Sequence, residues 1–206
     1  MTTLKFDSNH AGVSHLRAAD PVLAGLIDAV GPFDLELADD RFADLAGSIV
    51  SQQLSTSAAR TIWGRFVELA GTVTPDSIER LAEEELRAVG LSGQKARYLK
   101  DLAQRVKSGE VDLDAFDEHS DEEVIVELTK VKGIGRWTAE MFLIFSLGRE
   151  DVFAADDVGL QRAVRLAYGD TDADGGPSAS ERALAWAPYR SVASLYLWKA
   201  LDRKVL

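Results

Sequence analysis

The sequence predicts an all-α protein, and three observations carry that prediction. Apolar residues recur at helical spacing along most of the chain, typical helix-start residues precede these stretches, and no alternation of period two extends beyond a few residues. The 206 residues include 46% hydrophobic and 28% charged side chains, which is the balance of a folded globular chain. We therefore expect one compact domain over residues 1–206, or two closely packed helical lobes.

The helices can be placed in order from their first residues and their apolar faces. Helix starts are predicted at the cluster Ser55, Thr56 and Ser57, at Thr74 followed by Pro75, and at Ser92. The predicted buried faces are these: Phe42, Leu45, Ala46 and Ile49; Ala59, Ile62, Trp63, Phe66, Leu69 and Ala70; Ala96, Leu99, Ala103 and Val106. Residues 141–147 are apolar on nearly all sides, which predicts a central helix. The acidic residues 108–123 and the Gly- and Asp-rich residues 169–180 are expected to be connections, the first a candidate boundary between lobes.

Composition excludes several classes of function. The chain has no Cys, so disulfides, thiolate nucleophiles and Cys-ligated metal centres are excluded. No secretory signal is visible, and the longest apolar run, residues 141–145, is too short to span a membrane, so we expect a cytoplasmic protein. The net charge of −11, taken alone, argues against nucleic acid, because phosphate binding depends on clustered cations.

Residues 128–139, with the sequence LTKVKGIGRWTA, are the most informative stretch. One helix is predicted to end near Leu128 and another to begin at about Gly135, with a tight turn between them that Gly133 and Gly135 permit. Exposed N–H groups at such a turn form an anion site, and Lys130, Lys132 and Arg136 surround it with positive charge. From these residues alone, a Gly-rich turn with solvated cations explains the pattern equally well.

The full pattern resembles the helix–hairpin–helix of the DNA base-excision glycosylase superfamily, and the resemblance extends from about residue 42 to residue 200. It implies an all-α, two-lobed fold with the active site in the cleft between the lobes, and no separate N-terminal domain. The hairpin of that family grips a DNA backbone phosphate, which implies DNA-binding roles for these residues: Lys132, Gly133, Ile134, Gly135, Arg136 and Thr138. The resemblance also implies that carbonyls of Thr129, Val131 and Ile134 can hold a monovalent cation, with no other cofactor required.

Two adjacent carboxylates, Asp156 and Asp157, follow the hairpin. Both have a structural explanation, because a carboxylate can cap a helix and gains from its dipole. In the superfamily an aspartate about twenty residues beyond the hairpin is catalytic, which implies that role for Asp157 and leaves capping to Asp156. An ionised carboxylate suits the chemistry, since cleavage of an N-glycosidic bond builds positive charge on the sugar.

The residues after the second hairpin glycine resemble the alkylation-repair branch, the 3-methyladenine DNA glycosylase II group. Superfamily members that also cut the strand have the pattern G-x-G-x-K-T, and here Trp137 occupies the lysine position, which disfavours lyase activity. The resemblance places Trp137, Met141 and Trp198 in the pocket for the extruded base, where an aromatic face suits a cationic alkylated purine. Core packing is the alternative for Trp137.

Two further motifs have competing interpretations. The segment from Gly47 to Ser55 resembles the family's minor-groove wedge, with Gln53 at the inserting position; a polar helix end is the alternative. The residues Asp170, Asp172, Asp174 and Glu181 fit the spacing of a calcium loop, but a solvated acidic turn is the favoured interpretation, and we expect no metal site.

The predicted function is DNA repair by a monofunctional glycosylase that removes alkylated purines of the 3-methyladenine and 7-methylguanine class from double-stranded DNA. The alternatives are a catalytically inactive DNA-binding module and a glycosylase for deaminated or mismatched bases. We expect a monomer with no membrane association and no obligate protein partner. Residues 93–107 have a local net charge of +4 from five cations and Asp101, which predicts a cationic DNA face there and at the hairpin. Few phosphate contacts and a shallow salt dependence should follow.

Overall fold

The computed structural model describes residues 2–169 and 177–206, and most of these residues are helical. The elements in chain order are β1 (Thr3–Phe6), α1 (Ala11–Ala19), α2 (Pro21–Val30), β2 (Phe33–Glu36), α3 (Arg41–Ser51), α4 (Thr56–Ala70), α5 (Pro75–Arg80), α6 (Glu83–Ala88), α7 (Gly93–Lys107), α8 (Asp121–Leu128), α9 (Arg136–Phe145), α10 (Val158–Tyr168), α11 (Ala179–Ala183) and α12 (Arg190–Asp202). The predicted all-α class is confirmed. No helix in the described part of the chain is long and apolar enough to cross a membrane.

The chain divides into two compact units, Met1–Leu37 with Leu143–Leu206, and Ala38–Phe142. The acidic residues 108–123 therefore lie inside the second unit, and the interpretation that they separate two lobes is wrong. Val111 and Phe116, two apolar side chains of this segment, are fully buried and anchor it to the core of that unit. Charge patterning alone does not reveal this, because the acidic side chains alternate with the buried ones.

The first unit is organised around α12, which is buried on nearly all sides from Ser191 to Leu197. The largest fully buried side chains of this unit include Trp186, Tyr196, Leu16 and Leu23. This unit also contains two short strands: β1 and β2 form an antiparallel pair in which Phe6 is opposite Phe33. Each strand has only four residues, so the alternation was too short to be detected from the sequence.

The second unit confirms most of the predicted helix starts and buried faces. Ser55, Thr74 and Ser92 are N-caps, and each accepts a hydrogen bond from the N–H three residues later. All four predicted apolar residues of α3 are buried. In α4 only Phe66 is fully buried; the other residues of the predicted face are half-buried, and two of them, Ala59 and Trp63, line an open groove between α3 and α4.

One side chain in the first unit, Asp20, connects the start of α2 to Tyr168 of α10 and to Trp186. It caps α2 by accepting hydrogen bonds from the N–H groups of Val22 and Leu23, and its Oδ2 accepts from the Tyr168 hydroxyl and from Nε1 of Trp186. Burial raises the pKa of Asp20, but the four hydrogen bonds outweigh burial and hold it below its ordinary value. Burial, together with the hydrogen bond to Asp20, raises the pKa of Tyr168.

Replacement of Asp20 by Ala is expected to lower the free energy of unfolding by about 2–4 kcal/mol, because a helix cap is lost and two donors, the buried Trp186 and the half-buried Tyr168, lose their acceptor. The matched variant is Asp28→Ala, which removes an exposed ion pair with Arg17 and should cost less than about 1 kcal/mol. Urea denaturation measures both changes, and equal losses for the two variants would contradict the assignment.

The same site predicts a pH dependence of stability. Because the folded-state pKa of Asp20 is lowered, its contribution is present above the unfolded pKa of about 4 and is lost as the pH falls through the folded value. The stability difference between the wild type and Asp20→Asn should therefore be largest near neutral pH and shrink below about pH 4.

Candidate functional site

The hairpin connects α8 to α9 through residues 129–135, which we call the hairpin turn. This turn requires glycine at one position. Gly133 has φ +87°, and a Cβ built on it would lie 2.1 Å from Cδ2 of Tyr98, so both the backbone and the space exclude a side chain. Gly135 is different, because its φ is not left-handed and a Cβ would meet no atom within 4 Å. Gly135 is exposed at the start of α9, where a methyl group would change only what approaches from outside.

Contacts inside the second unit fix the hairpin. The N–H of Lys132 donates to Oδ2 of Asp101 at 2.9 Å, and the carbonyl of Gly133 accepts from Nε2 of Gln52 at 2.7 Å. Burial alone would raise the pKa of Asp101, but hydrogen bonds from Lys132 and Arg105 lower it. Ile134 and Thr138 are buried, so any contact that they make with DNA is through main-chain atoms.

The carboxylate of Asp157 lies at the start of α10 in the first unit. Asp157 is the N-cap of α10, and its Oδ1 accepts from the N–H of Leu160 at 2.6 Å and from Nε1 of Trp198 at 3.0 Å. The expectation that Asp156 caps this helix is wrong: α10 begins at Val158, so the residue before it is Asp157, and Asp156 is exposed. Glycine at position 159 leaves space beside the carboxylate, since a Cβ on Gly159 would lie 3.2 Å from Oδ1 of Asp157.

The three predicted pocket residues divide between the two units. Trp198 is half-buried in the first unit, where its ring centroid lies 5.9 Å from that of Phe145. Trp137 and Met141 are on the part of α9 that belongs to the second unit. Trp137 is 46% exposed, which excludes the alternative that it serves only core packing.

The predicted wedge, Gln53, occupies the exposed turn between α3 and α4, residues 52–55, which we call the wedge turn. Its φ is +57°, a left-handed conformation that few residues other than glycine adopt. The side chains of Gln53 and Leu54 are both exposed. Gln53 is therefore displayed at a turn rather than folded onto a helix end.

The sequence profile of the HhH-GPD superfamily of base excision DNA repair proteins matches residues 46–188, a range that includes the wedge turn, the hairpin and Asp157. The chain belongs to the HhH-GPD superfamily. The DNA-3-methyladenine glycosylase 1 of Schizosaccharomyces pombe is 34% identical over 192 residues, which are 90% of this chain and 84% of that protein.

Solved structures of HhH-GPD proteins agree with the fold. A DNA-3-methyladenine glycosidase from Bacillus halodurans superposes with a TM-score of 0.87 at 39% identity, covering 98% of this chain and 94% of the other. The 3-methyladenine DNA glycosylase Mag1 of Schizosaccharomyces pombe, solved in complex with abasic DNA, gives a TM-score of 0.83 at 33% identity, covering 94% of this chain and 97% of the other.

The charge distribution of this HhH-GPD protein corrects the prediction of a cationic face at residues 93–107. All five cations there contact acceptors within the second unit. Lys95 and Lys100 donate to main-chain carbonyls, whereas Arg97, Arg105 and Lys107 pair with carboxylates outside the segment. At the hairpin, Lys132 pairs with Asp101, and Arg136 forms a bidentate pair with Glu122. Lys130, which is exposed, makes no ion pair within the described part of the chain.

The calcium-loop spacing concerns residues of which three, Asp170, Asp172 and Asp174, lie outside the described part of the chain. Glu181 has a structural role, because its carboxylate accepts from the N–H and the hydroxyl of Ser178 in the capping box of α11. Among residues 2–169 and 177–206, no cluster of three or more His, Asp or Glu side chains could hold a metal ion.

Sequence reasoning missed the residues that support the hairpin and the carboxylate. Gln52, Tyr98 and Asp101 hold the wedge turn and the hairpin, and Gly159 leaves room beside Asp157. One signal was present: Asp101 is the single acid among five cations in residues 93–107, which marks it as a residue with a specific partner.

Proposed function

We propose that this protein is a monofunctional DNA glycosylase that hydrolyses the N-glycosidic bond of alkylated purines in double-stranded DNA. The observation that carries the proposal is Asp157, a half-buried carboxylate oriented by the N–H of Leu160 and by Nε1 of Trp198. The chain that contains Asp157 is more than 30% identical to proteins named as 3-methyladenine glycosylases or glycosidases, over at least 90% of this chain's length. The expected bases are 3-methyladenine and 7-methylguanine.

The proposed chemistry requires little of the protein beyond a fixed negative charge. An alkylated purine carries positive charge and leaves readily, so the carboxylate of Asp157 stabilises the charge that develops at C1′ and orients the attacking water. The two hydrogen bonds to Oδ1 hold the carboxylate in place before the reaction begins. Trp198, which lies beside Asp157, offers an aromatic face for stacking on the extruded base.

The hairpin is the proposed contact with the DNA backbone. The exposed Gly135 allows close approach to a phosphate at the N-terminus of α9, and Lys130, Lys132 and Arg136 are near in sequence. Carbonyls of Thr129, Val131 and Ile134 would hold a monovalent cation that adds positive charge there. Oxygen donors of this kind suit a hard cation, and the Val131 carbonyl, which accepts from Ile134 N–H at 3.1 Å, retains a second lone pair.

The test is incubation of the purified protein with DNA treated with a methylating agent, followed by chromatography of the released bases. We expect free 3-methyladenine and 7-methylguanine, and abasic sites without strand cleavage, because Trp137 leaves no amine at the lyase position. Binding to abasic DNA without release of any base would favour the inactive binding module. Release of uracil or of a mismatched base, with none from methylated DNA, would favour the other glycosylase class.

Replacement of Trp198 by Phe is expected to slow single-turnover base release by about 10-fold, because the carboxylate loses the donor that orients it. The matched control is Trp63→Phe in the second unit, where Trp63 packs on Phe66 with ring centroids 5.5 Å apart. A wild-type rate for Trp198→Phe would show that the hydrogen bond from Trp198 to Asp157 does not contribute to base release.

The ionic contacts predict how affinity depends on salt. Since most cations near the hairpin already pair with carboxylates, we expect the logarithm of the binding constant to fall with the logarithm of salt concentration with a slope of about −2 to −4. Fluorescence anisotropy with a labelled abasic duplex measures the slope. A slope near −7, equivalent to about eight neutralised phosphates, would contradict this distribution of charge.

A further inference from the structure

The turn between α3 and α4 holds Gln53 in a conformation that it would not keep by itself. A left-handed backbone at a residue with a long side chain persists only where the surrounding contacts determine it. The side chain of Gln53 is exposed, so these contacts must come from the neighbouring backbone.

The residue before Gln53 is fixed at its backbone and at its side chain. Nζ of Lys95 donates to the carbonyls of Val50 and Gln52, each at 2.7 Å, and so holds the end of α3. Nε2 of Gln52 donates to the carbonyl of Gly133 at 2.7 Å, which joins the wedge turn to the hairpin turn across 81 residues of sequence. One peptide unit separates that anchored residue from the inserting position.

The hairpin turn is fixed to the same helix that supplies Lys95. Tyr98 packs against Gly133, and Asp101 accepts from the N–H of Lys132 at 2.9 Å. Lys95, Tyr98 and Asp101 are three residues apart on α7, so they lie along neighbouring turns of its surface. The wedge turn and the hairpin turn are thus attached to one helix and, through Gln52, to each other.

We propose that Gln52 is a positioning residue. Its hydrogen bond to the Gly133 carbonyl couples binding of the DNA backbone at the hairpin to insertion of Gln53 into the duplex. The inference rests on the proposed function. A phosphate bound at the hairpin fixes the backbone of that turn, and the bond from Gln52 transmits the fixed position to the wedge. Gln52 itself touches no reacting atom.

The test uses the Gln52→Met variant, which keeps the length of the side chain and removes the donor. It is compared with Gln53→Ala, with the double variant and with Gln104→Met on the exposed face of α7 as the matched control. Single-turnover release of 7-methylguanine is measured from two duplexes, one with the lesion paired with cytosine and one with no base opposite it. The second substrate needs little help to extrude the lesion.

We expect Gln52→Met to slow release from the paired duplex by about 10- to 100-fold, and to slow release from the unpaired lesion by less than about 3-fold. The double variant should be no slower than Gln53→Ala, because Gln52 acts through Gln53. Equal losses on both substrates, additive losses in the double variant or a rate like that of Gln104→Met would each overturn the proposal.

A fluorescence measurement separates this proposal from the proposed function. A 2-aminopurine placed beside the lesion brightens when the neighbouring base leaves the stack, whether or not a bond is then cut. If the wild type releases no base from either duplex, the proposed function fails. In that case the proposal predicts a smaller increase for Gln52→Met than for the wild type, and equal increases would overturn it.

Discussion

Replacement of Asp157 by Asn is expected to reduce base release by about 100-fold or more while the protein remains folded, because only the negative charge is removed. The amide oxygen of Asn can still accept from the N–H of Leu160 and from Nε1 of Trp198, and Asn caps helices as well as Asp does. The rate loss can therefore be attributed to the chemistry. Single-turnover assays with methylated DNA measure the rate, and thermal denaturation checks the fold.

The control for this variant is one residue away. Asp156→Asn makes the same change of charge at an exposed side chain that does not cap α10, so its rate should match that of the wild type. Asp157→Asn should bind abasic DNA at least as tightly as the wild type, because the substitution removes a negative charge near the sugar. Equal release of bases by Asp157→Asn and the wild type would exclude Asp157 as the catalytic carboxylate.

Replacement of Gly133 by Ala is expected to lower the free energy of unfolding by about 2–4 kcal/mol and to weaken DNA binding by 10-fold or more. The new Cβ would fall 2.1 Å from the Tyr98 ring, and the backbone at φ +87° disfavours any side chain. Either the ring or the hairpin turn must move, and the turn carries the carbonyl that Gln52 contacts.

Gly135→Ala is the matched variant, two residues further along. Its Cβ would meet no atom within 4 Å, so the free energy of unfolding should change by less than about 0.5 kcal/mol. We expect weaker DNA binding all the same, because the methyl group stands where a phosphate approaches. Chemical denaturation and anisotropy separate the two effects. A Gly133→Ala variant as stable as the wild type would show that the Tyr98 contact does not constrain the hairpin.

The features that the sequence predicted are those decided within a few residues. Ser55, Thr74 and Ser92 cap helices through their own hydrogen bonds to N–H groups three residues later, so local sequence suffices. The helix boundary at Leu128 and the need for glycine at position 133 were predictable for the same reason. The assignment of the cap to Asp156 was wrong by one residue, because two adjacent carboxylates satisfy the same pattern and only the backbone geometry selects Asp157.

The supporting contacts were not predictable, because they join residues far apart in the chain. Gln52 and Gly133 are 81 residues apart, and Asp101 and Lys132 are 31 residues apart. The same limit explains why the prediction of a cationic face at residues 93–107 was wrong. Residues 93–107 have a positive local charge, but their carboxylate partners, such as Asp76 and Glu83, are on other helices and are not identified by a local count.

The pairing of the cations also affects how the protein encounters DNA. The net charge of −11 repels a duplex at long range, and the cations of residues 93–107, with Lys132 and Arg136 of the hairpin, already contact carboxylates or carbonyls. At physiological ionic strength charges are screened beyond a Debye length of roughly 8 Å, so the exposed cations act on the DNA only at close range. Weak electrostatic retention favours frequent dissociation over sliding along the duplex. We therefore expect the search for damage to consist of many short collisions, each of which tests a few base pairs before the protein leaves.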